Sequence, residues 1–219
     1  VLVSRSGAMD REVVVKPHDR VKKLPLTSFE SASLLRTIGL SDGSGNIRAS
    51  MRGKYDQVNE FLKVVAETLS DATEADKAKT FTVIDCGCGK AYLTISLYPY
   101  LTEVLGFSDV RIVGVDRRSD VIGAAKEMAK RLDLADKVIF VESDLEKFNP
   151  AEVLAPGAAE RPEIDLVVSL HACDTATDEA LAKGVEWKTR YILSAPCCQH
   201  ELQKVLDDKG AFAGLMRQS

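Results

Sequence analysis

The segment Val83-Ile84-Asp85-Cys86-Gly87-Cys88-Gly89-Lys90 is an apolar run that ends in an acid and passes at once through two glycines. Glycines at those positions permit a tight turn after a strand and let a ligand lie against bare backbone. The third glycine of a dinucleotide-binding fingerprint is absent, because Tyr92 stands in its place. That departure argues against a pyrophosphate-bearing ligand.

A ligand with an adenosine but no pyrophosphate, S-adenosylmethionine, makes different demands. Its sulfonium and amino group are cationic, so an acid beside the turn is useful, and Asp85 sits there with Cys86, Gly87, Gly89 and Tyr92 around it. A second acid is expected at the end of the next strand, where it can accept both ribose hydroxyls. Gly114-Val115-Asp116 fits, 31 residues after Asp85, with Arg117 and Arg118 just beyond as a pair that touches phosphate or covers the adenine or the ribose rim. A third, Asp144 with Leu145, follows the third strand, where a side chain reaches the adenine amino group; Leu170 closes the fourth strand on the same side. Any one of these acids alone reads as a helix cap or a surface charge. Three at successive strand ends read as an adenosine site at the carboxyl edge of a sheet.

A second constellation follows the glycine turn in the chain. Ser169 to Asp178 contains His171, Cys173 and Asp174, and Leu193 to His200 contains Cys197, Cys198 and His200. These are zinc-ligand types, but adjacent cysteines and single-residue gaps differ from the usual C-x2-C spacing, so no metal is expected. Cys86 and Cys88 read as small buried residues packed beside the ligand.

The elements that must position these residues alternate. Strands are expected at 81–85, 110–116, 137–141, 164–170 and 191–195, with helices over 120–132 and 177–183, the latter capped by Thr175. Alternating β and α elements imply a parallel sheet covered on both faces. Pro99 should kink or end the first helix, and Trp187 should cover the sheet edge. Ahead of the sheet, residues 1–25 read as an extended arm, Thr27 and Glu30 as a capping box for a helix stopped by Gly39, and Ser50 as the cap of a longer helix. That helix carries Met51, Tyr55, Val58, Phe61, Leu62, Val65 and Leu69 at helical spacing and should pack over the ligand mouth. The polar stretch 70–79 reads as a linker. The organisation expected is an arm and helical preface over 1–79 and a main domain over 80–219.

With 219 residues, 45% hydrophobic, 28% charged and a net charge of -4, the chain is neither disordered nor fibrous. No apolar run reaches the ~20 residues of a membrane span. The first residues lack the apolar core of a secretory signal, the chain does not begin with Met, and its five cysteines are odd in number. It reads as an excerpt of a cytoplasmic protein with reduced thiols. Residues 1–63 hold eleven Lys/Arg against seven Asp/Glu, leaving -8 on the remainder. A basic preface on an acidic body suits first contact with a polyanion, although it also reads as a solvated face.

Across 81–195 the chain resembles the Rossmann-like, class I S-adenosylmethionine-dependent methyltransferases. The strings HACDTATD at 171–178 and PCCQH at 196–200 look like a subgroup that includes the glutathione-S-transferase-C-terminal-domain-containing proteins and the eukaryotic tRNA 2′-O-methyltransferases. The preface helix with Lys54-Tyr55 is similar to one of the same subgroup. The resemblance implies S-adenosylmethionine as cofactor, an RNA substrate, and a sheet of order 3-2-1-4-5, in which the fourth and fifth strands are neighbours. His171, Asp174, Cys197, Cys198 and His200 would then face one acceptor crevice, with His171 or Asp174 as the base for a ribose hydroxyl and His200 a further candidate. Pro196-Cys197 is also similar to the thiolate motif of cytosine-C5 methyltransferases, but there the dipeptide follows the fourth strand and here the fifth. Acceptors of protein or small-molecule type, and a non-catalytic binding module, stay open. Such enzymes usually add a sixth and seventh strand, and only 24 residues follow Ala195, so a C-terminally truncated sheet is expected.

Overall fold

The computed structural model describes residues 24–27, 32–159, 161–170 and 175–195. All five expected strands form: β1 (Thr80–Cys86), β2 (Asp109–Asp116), β3 (Val138–Glu142), β4 (Leu166–Ser169) and β5 (Tyr191–Ser194). They pair in parallel in the order β3-β2-β1-β4-β5. The central strands are Val- and Ile-rich because both of their faces are covered. This is a Rossmann-like α/β sheet, as the sequence implied.

Seven helices flank the described sheet: α1 (Ala32–Thr37), α2 (Arg52–Thr68), α3 (Glu74–Lys77), α4 (Tyr92–Pro99), α5 (Ser119–Arg131), α6 (Pro150–Leu154) and α7 (Thr175–Glu186). Val83, Ile112, Val138, Phe140 and Leu166 meet α4, α5 and the preface on one face. Ile84, Cys86, Val113, Val115 and Val167 meet Phe148 and the Ala180 side of α7 on the other. Alternation along each strand divides the core between these two layers.

The preface shares the first of those layers. Tyr55, Val58, Phe61, Leu62 and Val65 of α2 are buried in the same cluster as β1 and β2, and full burial of such a side chain stabilises by ~1.5–3 kcal/mol. Asn59, wholly buried, accepts the Leu26 N–H at 2.9 Å and donates to the Tyr55 carbonyl at 2.9 Å. Both ends of its amide are thereby satisfied in an apolar setting.

Local differences from expectation have local causes. Ser50 does not cap α2; it lies inside a 3-10 turn, Ala49–Met51, and α2 starts behind Met51 with no side-chain cap. The Thr27 hydroxyl donates to the Leu24 carbonyl and closes a preceding turn, while Glu30 lies outside the described residues. Gly39 does follow α1, at φ 77°. The stretch read as a linker contains α3, whose Thr73 and Asp76 cap each other reciprocally. Those contacts from Thr73, side chain first and backbone second, hold the Asp76 carboxyl down at about 2. Pro99 ends α4, and the chain passes into a π-type turn, Tyr100–Val104. Trp187 meets Phe148 edge to face, with ring centroids 5.9 Å apart, as a cover for the second face.

Gly114 illustrates how tightly the central strands are filled. A Cβ there would stand 2.7 Å from Cδ1 and Cε1 of Phe140 and 3.1 Å from Cys88 Sγ, all in buried surroundings. Overpacking of this kind costs ~1–3 kcal/mol, and for a chain of this size each kcal/mol lowers Tm by ~2–4 °C. Gly114→Ala is therefore expected to melt several degrees lower; an unchanged Tm would show that the Phe140 ring yields freely.

Candidate functional site

The carboxyl ends of β1, β2 and β3 open onto a cleft of about 870 Å³. Its floor is the turn between β1 and α4. The Gly87 and Cys88 N–H groups donate to the Val115 carbonyl at 2.8 and 3.0 Å, which pins the turn to the end of β2. Gly87 and Gly89 adopt φ of 75° and 52°, and Ala91, the residue before α4, follows at 58°. L-residues resist the left-handed region, so glycine is needed where the turn is tightest. A Cβ on Gly89 would find only the Gly87 carbonyl, at 4.0 Å. Bare backbone thus faces open space, which suits close approach of a ligand.

Asp116 stands at the centre. Its Oδ2 accepts the Gly89 N–H at 2.9 Å and its Oδ1 accepts the Arg118 N–H at 3.0 Å. Two backbone donors from two different turns fix the carboxylate in the cleft wall. Each oxygen keeps a second lone pair, which is the acceptor pair that two vicinal hydroxyls require when they donate.

Of the residues expected to hold a cofactor, the cleft brings together Gly87, Gly89, Tyr92, Asp116, Arg117, Asp144 and Leu145. Asp85, Cys86 and Leu170 lie behind it: all three are buried and none lines it. Asp85 Oδ2 accepts the Thr94 hydroxyl at 2.6 Å. Burial pushes the Asp85 carboxyl up to about 7; the Thr94 hydrogen bond opposes that rise, and the Asp116 charge adds to it. Cys86 and Cys88 are free and buried, and burial raises both thiols far above their ordinary range, so neither is a ready nucleophile.

The cleft has further walls, among them the start of the preface helix, which was expected over the ligand mouth. Ser50, Met51 and Lys54 reach it from the start of the preface, Lys90 and Arg118 from the two turns, and Thr175, Ala176 and Glu179 from the first turns of α7.

His171, Asp174, Cys197, Cys198 and His200 lie outside the described residues. The strands that lead to them are described: β4 and β5 are adjacent, with Ser169 and Ser194 in register. Among the described residues the buried hydroxyls of both serines have no hydrogen-bond partner. Among the described residues no group of three His, Cys, Asp or Glu is placed to hold a metal. No helix there is long and apolar enough to cross a membrane. A smaller cleft of about 280 Å³ beside Phe148 and Trp187 contains none of the expected site residues.

The profile of a family described as methyltransferase domain matches residues 53–205. No curated protein matches the chain. Among solved structures, the METTL16 MTase domain is similar at 15% identity and a TM-score of 0.45, over 74% of this chain and 59% of its own. The human methyltransferase 10 domain containing protein is similar at 15% identity and a TM-score of 0.44, over 74% and 72%. TrmK from M. capricolum, in complex with S-adenosylhomocysteine, is similar at 16% identity and a TM-score of 0.39, over 66% and 55%. The chain thus spans less than two thirds of the METTL16 and TrmK chains.

Proposed function

We propose, on the premise that this chain belongs to the methyltransferase-domain family, that it moves a methyl group from S-adenosylmethionine to RNA. The observation that carries the cofactor half is Asp116, held at both carboxylate oxygens beside a bare glycine turn in a cleft of about 870 Å³. That volume lies within the range of small-molecule sites. When bound, the cofactor supplies a methyl carbon already activated by positive sulfur.

The chain's own residues do the rest. Asp116 accepts the ribose hydroxyls, Gly87 and Gly89 let the cofactor lie against the backbone, and Asp144 with Leu145 holds the adenine end. Arg117 covers the rim, and Tyr92 borders the cleft at the start of α4. Asp85, one layer back, places an acid behind the cationic end. On the acceptor side, the segments that leave β4 and β5 carry His171, Asp174, Cys197, Cys198 and His200. His171 or Asp174 takes the proton of an attacking hydroxyl, while the cysteines and His200 line the crevice.

The RNA reading rests on the cations at the mouth, Lys54, Lys90, Arg117 and Arg118, drawn from three separate segments, and on the HACDTATD and PCCQH strings. Those strings also support placing the chain in the subgroup with the glutathione-S-transferase-C-terminal-domain-containing proteins and tRNA 2′-O-methyltransferases. Two buried free thiols support a cytoplasmic setting. Asp144, Glu146 and Glu179 on the other lip favour a second reading, a cationic protein or small-molecule acceptor.

Incubation of the full chain with methyl-labelled donor, against total RNA and against protein extract, separates these. Label in RNA is expected. Label confined to protein or small molecules selects the second reading, and tight donor binding with no label leaves a non-catalytic module.

A further inference from the structure

We infer that the smaller cleft, on the face of the sheet that α6 and α7 cover, binds a single nucleotide, with its phosphate on Arg161 and Lys183 and its base against Trp187. The inference does not depend on the cofactor reading above.

Three segments close this cleft of about 280 Å³. The stretch entering α6 supplies Phe148 and Pro150, the stretch leading into β4 supplies Arg161, Pro162 and Ile164, and the end of α7 supplies Lys183 and Glu186, with Trp187 just past it. Phe148, Pro150 and Ile164 are buried, and the half-buried Trp187 is held edge to face on Phe148. Phe148, Ile164 and Trp187 belong to the second core layer, so the apolar wall is in place before a ligand arrives. A wall formed in advance lowers the entropy lost on binding. The volume falls just below the ~300 Å³ at the low end of small-molecule sites, which suits one planar ring with a short polar arm and excludes a dinucleotide.

Charge selects among ligands of that shape. Arg161 is exposed and makes no ion pair among the described residues, and its guanidinium presents the fork that phosphate oxygens accept. Lys183 is only 18% exposed in its side chain, and its Nζ lies 3.0 Å from Glu186 Oε2, which leaves two of its three donors. Two cations from separate walls suit the several oxygens of a phosphate. Glu186 keeps a second oxygen that can accept an N–H from a base edge. An amino acid would bring its ammonium against Lys183 at that place, and a purely apolar ligand would use neither charge. The remaining polar walls are engaged elsewhere. Asn149 accepts the Ala151 N–H at 3.2 Å and donates to Glu152 at 3.2 Å, and Lys147 leans toward Asp144 of the larger cleft at 3.5 Å. Stacking on an aromatic side chain tolerates any base, but guanine offers two neighbouring N–H donors to a carboxylate. Glu146 borders both clefts, so a free nucleotide and a nucleotide within an RNA strand present the same chemistry here.

Trp187 is the chain's only tryptophan, so its emission reports on this cleft. The full chain is titrated with guanosine 5′-monophosphate, guanosine, L-phenylalanine and a single-stranded oligoribonucleotide, as wild type, Arg161→Gln and Lys126→Gln, with circular dichroism to confirm that each is folded. Lys126 lies on α5, against the opposite face, and its replacement removes the same charge elsewhere. Guanosine monophosphate is expected to quench, and guanosine to bind about tenfold more weakly, the effect of one lost charge-assisted contact. Arg161→Gln should lose about tenfold for the monophosphate and nothing for guanosine, while Lys126→Gln matches wild type. An oligonucleotide that binds more tightly than the monophosphate, and is weakened by Arg161→Gln, identifies RNA as the source; equal affinity identifies the free nucleotide. Absence of quenching, an equal loss in Lys126→Gln, or quenching by phenylalanine at lower concentration than by the monophosphate overturns the assignment. So does loss of the quenching once S-adenosylhomocysteine fills the larger cleft. Calorimetric binding of S-adenosylhomocysteine by Arg161→Gln should equal that of wild type, so failure here leaves the cofactor reading intact.

Discussion

Asp116→Ala is expected to weaken S-adenosylhomocysteine binding by roughly 100-fold or more while the sheet remains folded. Hydrogen bonds to a charged group contribute ~1.5–3 kcal/mol each, and two ribose hydroxyls lost together amount to at least two factors of ten at ~1.4 kcal/mol per factor. A second effect compounds the first. The Gly89 and Arg118 N–H groups lose their acceptor, so the glycine turn and the turn after β2 are no longer tied to one carboxylate. Asp116→Asn retains one acceptor oxygen and is expected to fall between alanine and wild type. Calorimetric titration with a melting curve on each variant decides the matter. A change of less than threefold in the alanine variant would remove Asp116 from the binding site.

Asp85 gives the largest expected effect on stability. Burial pushes its carboxyl up to about 7 from the ordinary 3.8, so between those pH values the folded state holds a proton that the unfolded state has released. Folding stability from this group must fall as pH rises through that window, and the cost is complete above about 7. At ~1.4 kcal/mol per unit the window amounts to up to about 4 kcal/mol. Asp85→Asn keeps an acceptor for the Thr94 hydroxyl and cannot ionise. Its stability relative to wild type should therefore grow from pH 4 to pH 7 and then level. Urea denaturation of both proteins across that range measures the difference, in which the opposite contributions of depressed acids such as Asp76 and Asp109 cancel. Parallel profiles would mean that water or relaxation already solvates the group.

The sheet was readable because its strands are short β-branched runs bounded by turn residues, and burial on both faces makes each run nearly continuous. That the glycine turn and the acids after β2 and β3 meet in one cleft was readable for a related reason, since successive parallel strands bring their carboxyl ends to one edge of the sheet. Asp85 shows where that reasoning stops. Residues alternate between faces, and the last positions of β1 point into the layers rather than over the edge, so an acid can end a strand without lining the cleft. The preface contribution is of another kind. The apolar stripe from Met51 to Leu69 was enough to place that helix over the mouth, but Met51 and Lys54 precede β1 by more than two dozen residues, and the stripe does not say which of its first residues line the cleft. Ser50 misled because a hydroxyl before a helical stripe signals a cap, whereas here a 3-10 turn occupies that place. In α3 the reciprocal Thr73 and Asp76 contacts were present in the sequence as a spacing, hidden by the polarity of the stretch.

The pairing of β1 with β4 has a consequence for how the molecule is made. Val83 lies opposite Leu166, 83 positions later in the chain, and β1 is one of the central strands of the sheet. At a synthesis rate of ~5–20 residues per second, β1 emerges roughly 4–17 s before its second neighbour exists. For that interval one edge of an apolar strand, its residues from Phe81 to Cys86 all buried in the finished fold, is open to other chains. Contacts this distant in sequence also form late and slow folding. The nascent chain's exposure to aggregation at that edge therefore lasts until β4 pairs with it, and the helices that pack on the faces of the sheet cannot shorten the interval.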